Sequence, residues 1–216
     1  MGAKPNIIAE TGLQFFGRIS ASISHELKNV LAIINENAGL LDDFTEMADH
    51  GMAIDPARLK KMAGVVAKQV GRANGILKCM NQFAHSIDET VIDVDLNEII
   101  KLLIALTDRF AAMRSVAVET DLSADLIRIR TSPFLLMNLL WLCLDFALDA
   151  SGAGHTVVVQ TQKTWPGAQI HFKRIEGLAQ TEWKSFPAKS GQELLDFLKA
   201  ELAIRVEYDE ILVKLP

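Results

Sequence analysis

The sequence predicts an α+β chain in two parts: a two-helix hairpin that dimerises into a four-helix bundle, followed by an α/β sandwich. Three observations carry that prediction. Two long stretches place apolar residues three and four apart, the mark of helices buried along one face. A short break bearing Gly and Pro joins them and folds them back on each other. After a composition shift at Asp88-Glu89-Thr90, runs of helical and strand period alternate, as in a layered sandwich. The corresponding domains are 1–89 and 90–216.

Ile7 to His50 reads as one helix. Its stripe is Phe16, Ile19, Ile23, Leu27, Val30, Leu31, Ile34, Ala38 and Leu41. At about 100° per residue, His25 points away from the middle of that stripe. Ser22, Lys28 and Asn29 fall beside it on the outer face, and Glu26 toward one edge. Gly51 to Pro56 supplies the break, with Asp55 as an N-cap and Pro56 at the first helical position. A second helix runs to about Ile87. Its stripe, Leu59, Met62, Val66, Val70, Ala73, Leu77, Met80, Ala84 and Ile87, approaches a heptad seam. A lone hairpin cannot bury both stripes, and a second copy of the chain is the nearest source of two more helices.

Beyond the shift, Val91 to Val94 reads as a strand and Leu96 to Arg114 as a helix capped by Asp95. Val116 to Thr120 and Leu126 to Arg130 read as strands. Ser132-Pro133 opens an apolar helix to about Ala150. Thr156 to Lys163 and Ala168 to Lys173 form a hairpin around Trp165-Pro166-Gly167. Gln192 to Leu202 is expected as a helix, and Ile204 to Tyr208 with Ile211 to Leu215 as a final hairpin.

The chain has 216 residues, half of them hydrophobic, and a formal net charge of −5. That balance argues against a nucleic-acid binder, which presents a basic face. Cys79 and Cys143 sit among apolar neighbours and read as reduced core thiols of an intracellular protein. Met1-Gly2-Ala3-Lys4-Pro5-Asn6 has no apolar signal region and no Ser or Thr at the sixth position for myristoylation. The longest apolar run, Phe134 to Leu144, is interrupted by Asn138 and falls short of the about 20 residues that a bilayer needs. A soluble, cytoplasmic protein with no membrane contact is expected. His25, His50, His85, His155 and His171 show no metal-ligand spacing. The basic pair Lys173-Arg174 reads as a solvated strand end in preference to an anion site.

An exposed histidine on a helix is by itself most often a solvated surface residue. The run around this one is more specific. Ser24-His25-Glu26-Leu27-Lys28-Asn29-Val30-Leu31 resembles the phospho-acceptor box of sensor histidine kinases: His, an acidic residue, Leu, a basic residue, Thr or Asn, Pro, Leu. The match holds at His25, Glu26, Leu27, Lys28, Asn29 and Leu31. It fails at Val30, where the family has a proline that kinks the helix, so a straighter helix is expected here.

The order of elements after residue 90 is similar to the GHKL-type ATP-binding domain of the same family. Asn138-Leu139-Leu140 through Ser151 is similar to the helix bearing its asparagine box. The chemistry of that domain does not carry over. Phe146 falls where the family has its magnesium-holding asparagine, with Asp145 beside it as a remote substitute. The Asp-x-Gly-x-Gly turn is reduced to Lys173-Arg174-Ile175-Glu176-Gly177-Leu178. The second glycine box, which frees backbone amides to approach phosphates, is reduced to Ser190-Gly191-Gln192-Glu193-Leu194-Leu195. The fold is therefore expected to be a degenerate histidine-kinase ATPase-like sandwich without nucleotide.

What the resemblance implies is a histidine phosphotransferase of a two-component phosphorelay, without ATP binding. His25 accepts the phosphoryl group, Glu26 orients the imidazole, Lys28 offsets charge and Asn29 positions a water or the partner's loop. No cofactor of its own is expected, the magnesium lying on the partner. The implied partners are a second copy, response-regulator receiver domains docking near Ile33, Ile34 and Asn37, and a hybrid histidine kinase upstream. One alternative is a response-regulator phosphatase or modulator, since Glu26 and Asn29 fit a Glu-x-x-Asn dephosphorylation motif. The other is a non-catalytic pseudokinase scaffold.

Overall fold

The computed structural model describes residues 7–88 and 90–216. Met1-Gly2-Ala3-Lys4-Pro5-Asn6 and Glu89, at the composition shift, lie outside the described residues. Contacts divide the chain into two compact units: Ser20–Asn81, and a unit joining residues 7–19 to 82–216.

Two helices form the hairpin, α1 (Ile7–Asp49) and α2 (Pro56–His85). Gly51, at φ 80°, turns the chain after α1. Asp55 then accepts the Ala57 N–H at 2.9 Å. Pro56 loses nothing at the helix start, where its missing N–H would have had no partner. Within Ser20–Asn81, Arg72 reaches Glu26 at 3.5 Å, and the Arg58 guanidinium lies 5.9 Å from the Phe44 ring centre. Both contacts fit an antiparallel pair. Ile23 and Val30 are buried, whereas Leu31, Leu41, Val70 and Leu77 are about half exposed.

In the larger unit, Phe15 meets Phe83 edge to face at 5.3 Å, and Phe134 stands 5.7 and 5.8 Å from them. This aromatic cluster, worth more than its buried area alone, gathers the start of α1 and the end of α2 into the unit. The elements that follow are β1 (Ile92–Asp95), α3 (Leu96–Met113), β2 (Ala117–Asp121), β3 (Arg128–Thr131) and α4 (Pro133–Ser151). Then come β4 (Thr156–Lys163), β5 (Ala168–Lys173), α5 (Lys189–Leu198), β6 (Glu201–Arg205) and β7 (Glu210–Leu215). Asp95 caps α3 by accepting the Asn97 N–H at 3.0 Å. β1 pairs with β3 in a separate two-stranded sheet. The main sheet runs β2-β4-β5-β7-β6, with β2 and β4 parallel and the other pairs antiparallel.

Strand period 2 gives this sheet two faces. Ile170, Phe172, Ile211 and Val213 are buried on the face that meets the helices. His171, Lys173, Arg205 and Glu210 share the opposite face. α4 is apolar over most of its surface, with Asp145 and Asp149 on one side, and Leu136, Leu139, Leu140, Trp141, Leu144 and Leu148 have at most 1% of their surface exposed. Its 19 residues are long and apolar enough to cross a membrane, more than the run Phe134 to Leu144 suggested. Most of that length is buried against α3, α5 and the sheet.

The last helix differs from expectation. It ends at Leu198, because Lys199 turns left-handed at φ 52° and Ala200 N–H returns to the Leu195 carbonyl at 2.9 Å. The chain then enters β6 at Glu201, opposite Lys214. Leu202 sits four residues after Leu198, so a strand residue extended the helical spacing. The expected strand at Ile204 to Tyr208 is instead the end of β6 followed by a 3-10 turn over Val206–Tyr208.

Candidate functional site

α1 runs unbroken as an α-helix through Val30, the position where a proline would kink it. Val30 is fully buried, as is Ile19, and Ile23 is nearly so. These residues fix the rotation of this stretch of helix. His25, Lys28 and Asn29 are accordingly exposed. They stand at spacings of three and four, so they share one face. Glu26 is half buried, and its ion pair is with Arg72 of α2 at 3.5 Å. Among the described residues it makes no ion pair with His25. Its position is thus set by the neighbouring helix, one residue away from the imidazole.

Ser22 is a correction. Expected beside His25 on the outer face, it is 3% exposed, and its hydroxyl has no hydrogen-bond partner among the described residues. It lies one turn after Ile19 and next to Ile23, so it follows the apolar stripe inward. Ile33, Ile34 and Asn37 are half buried, and Asn37 Nδ2 donates to the Ile33 carbonyl at 2.8 Å. That leaves the apolar stems of Ile33 and Ile34 partly available below His25.

The second candidate region is the α/β lobe, where the sequence had placed the remnants of a nucleotide site. Phe146 is stacked on Phe186, ring centres 4.4 Å apart. Asp145 is ion-paired twice, to Arg114 Nη2 at 2.7 Å and to Arg18 Nη1 at 3.2 Å. Arg114 also binds Asp149 through Nε. Burial works against the charge on Arg114, and the two aspartates outweigh it, holding the guanidinium above its ordinary pKa. A carboxylate engaged by two guanidinium groups is a poor ligand for a divalent cation. Among the described residues no group of three or more His, Cys, Asp or Glu side chains is placed to hold a metal.

The glycines at these two places, Gly177 and Gly191, are required by packing. A side chain on Gly177 would drive into the Ala150 carbonyl at the end of α4. One on Gly191 would meet the Pro187 ring. Each permits a close approach within the lobe. Sequence reasoning missed Arg18, Arg72 and Arg114. The long-range ion pairs they make leave no spacing signal, and only the charge opposite each aspartate or glutamate hinted at them.

No protein-family model matches the chain. The sensor histidine kinases ZraS of Salmonella typhi and of Salmonella typhimurium are each 26% identical to it over 148 residues, 68% of the chain. The chain spans about 30% of the length of these curated relatives. The solved structure of Acinetobacter baumannii histidine kinase AdeS shares the fold, with a TM-score of 0.50 at 12% identity, over 88% of this chain and 96% of that one. The chain thus shares with AdeS the fold of a helical region followed by an α/β sheet lobe, and its sequence is similar to the ZraS histidine kinases over about two thirds of its length.

Proposed function

We propose that this chain is a histidine phosphotransferase of a two-component phosphorelay, passing phosphoryl groups between receiver-domain aspartates through His25 and binding no ATP. Relatedness to histidine kinases supports a place in two-component signalling. The observation that carries the finer reading is a contrast. His25 is exposed on a helix fixed by buried neighbours, while the positions that resemble nucleotide ligands are stacked, ion-paired or closely packed.

The chemistry needs little from this chain beyond an accessible imidazole. Nε2 of neutral His25 attacks the phosphorus of a receiver's aspartyl phosphate. The P–O bond to the aspartate breaks as the P–N bond forms, and the aspartate leaves as a carboxylate. The Nδ1 proton stays on the ring or passes to water. Lys28, one turn on, offsets charge on the transferred group. Asn29 offers a hydrogen bond to the partner or to a water. The receiver supplies the magnesium, and the reverse step loads a second receiver. A hybrid histidine kinase is a suitable source of the first phosphoryl group.

Dimerisation belongs to the same proposal. Leu31, Leu41, Val70 and Leu77 form an apolar surface that the hairpin leaves uncovered, and a second hairpin closes it into four helices. A reduced, cytoplasmic setting suits the two free thiols, one of them buried.

The test is to mix the protein with a receiver domain carrying labelled aspartyl phosphate. Label recovered on His25, acid-labile and base-stable, is the expected result. Label that goes directly to free phosphate, with none passing through the protein, would favour the phosphatase reading suggested by Glu26 and Asn29.

A further inference from the structure

We propose that the sheet face turned away from the helices holds a phosphate-class oxyanion, in a basin where the end of β5 meets the turn between β6 and β7. The inference does not depend on phosphotransfer at His25.

The register builds the basin. Arg205 and Glu210 are directly opposed across β6 and β7, and His171 on β5 opposes Leu212, two residues from Glu210. Side chains two apart on a strand share a face, so these three meet. Glu210 is 4% exposed and accepts from two directions: His171 Nδ1 lies 2.7 Å from Oε1, and Arg205 Nη1 donates to Oε2 at 3.2 Å. The rims are joined by the Ile175 N–H, which donates to the Asp209 carbonyl at 3.0 Å. The basin is open to solvent, has a volume of about 520 Å³ and is lined by His171, Lys173, Arg174, Arg205, Tyr208 and Glu210, together with Asp209.

Three features favour an oxyanion. Lys173, Arg174 and Arg205 outnumber the carboxylates Asp209 and Glu210, in a protein whose net charge is −5. Arg205 is engaged by Glu210, and the other two cations have no carboxylate partner among the described residues. Lys173 Nζ donates to the neutral Gln160 side chain at 2.6 Å, and exposed Arg174 has no ion-pair partner among the described residues. Finally, His171 is 7% exposed, and its Nε2 is buried without a hydrogen-bond partner among the described residues. With Nδ1–H given to Glu210, Nε2 accepts the O–H of a hydrogen phosphate, or in the imidazolium form donates to its oxygen. Sulfate carries no such proton at neutral pH, so the site with a neutral ring prefers phosphate. A guanidinium fork suits the same ligand.

The experiment titrates the 216-residue chain with inorganic phosphate, against chloride at matched ionic strength. It follows the His171 ring protons by NMR and the heat by calorimetry. Saturable binding that shifts His171, weaker for sulfate, is expected. Arg174→Gln should weaken it about tenfold or more, the worth of one charge-assisted contact. His25→Gln should leave it unchanged. Arg205→Gln should do at least as much as Arg174→Gln. If that variant unfolds because Glu210 is left without its guanidinium, exposed Arg174 alone decides. A phosphoserine arm separates sources: tighter binding than inorganic phosphate points to an esterified ligand, equal binding to the free ion. Linear, unsaturable shifts at millimolar phosphate, or unaltered affinity in Arg174→Gln, would overturn the proposal.

Discussion

The two compact units of this chain treat apolar side chains in opposite ways. In the α/β lobe, α4 buries most of its leucines, and the helix-facing residues of β5 and β7 are dry. In Ser20–Asn81, Ile23 and Val30 are covered while Leu31, Leu41, Val70 and Leu77 keep about half their surface in water. One unit has a continuous dry core. The other leaves much of its apolar stripe uncovered. The polar residues divide the same way: exposed His25 is held on a helical rod, whereas Asp145 and Glu210 are drawn into ion pairs.

The strongest way to break this comparison is at His25. His25→Gln should reduce transferred label to background and leave the unfolding transition within about 0.5 kcal/mol of the parent, as for other surface changes. Intact labelling in that variant removes the site assignment. Next comes the hairpin surface. Leu31→Glu with Leu77→Glu should convert a dimer to a monomer by sedimentation, with the secondary structure of the α/β lobe retained. Wild-type stability should also rise with protein concentration, as it does when folding is linked to association. A concentration-independent midpoint speaks against the dimer.

Smaller effects sharpen the lobe side. Phe172→Ala, in the dry sheet core, should cost about 3–5 kcal/mol in denaturant unfolding. Asp145→Asn should cost about 1–3 kcal/mol, because it leaves part-buried Arg114 with Asp149 alone. Glu26→Gln, at a more exposed pair with Arg72, should cost less than about 1 kcal/mol in the same measurement.

Much of the fold was legible because its signals are local. Asp55-Pro56 marked the start of α2, Ser132-Pro133 the start of α4, and the turn at Trp165-Pro166-Gly167 the β4–β5 hairpin. The misreadings came where period and register compete. Leu202 continued the spacing of α5 yet belongs to β6, since one left-handed residue, Lys199, restarts the chain in another geometry. Ser22 was assigned to the outer face because it stands three residues before His25, but helix rotation is set by Ile19, Ile23 and Val30, and it turns inward. The pairing of β5, β6 and β7 sets residues up to 39 positions apart side by side, as with His171 and Glu210, and leaves no trace in local spacing.

The stack of Phe146 on Phe186 also has a consequence for substitution. An asparagine at position 146 would face a hole beside an orphaned ring, its amide without company, while Asp145 stays clamped by arginines. Any single change that opens this corner of the lobe starts by loosening it, so the plug resists being removed one residue at a time.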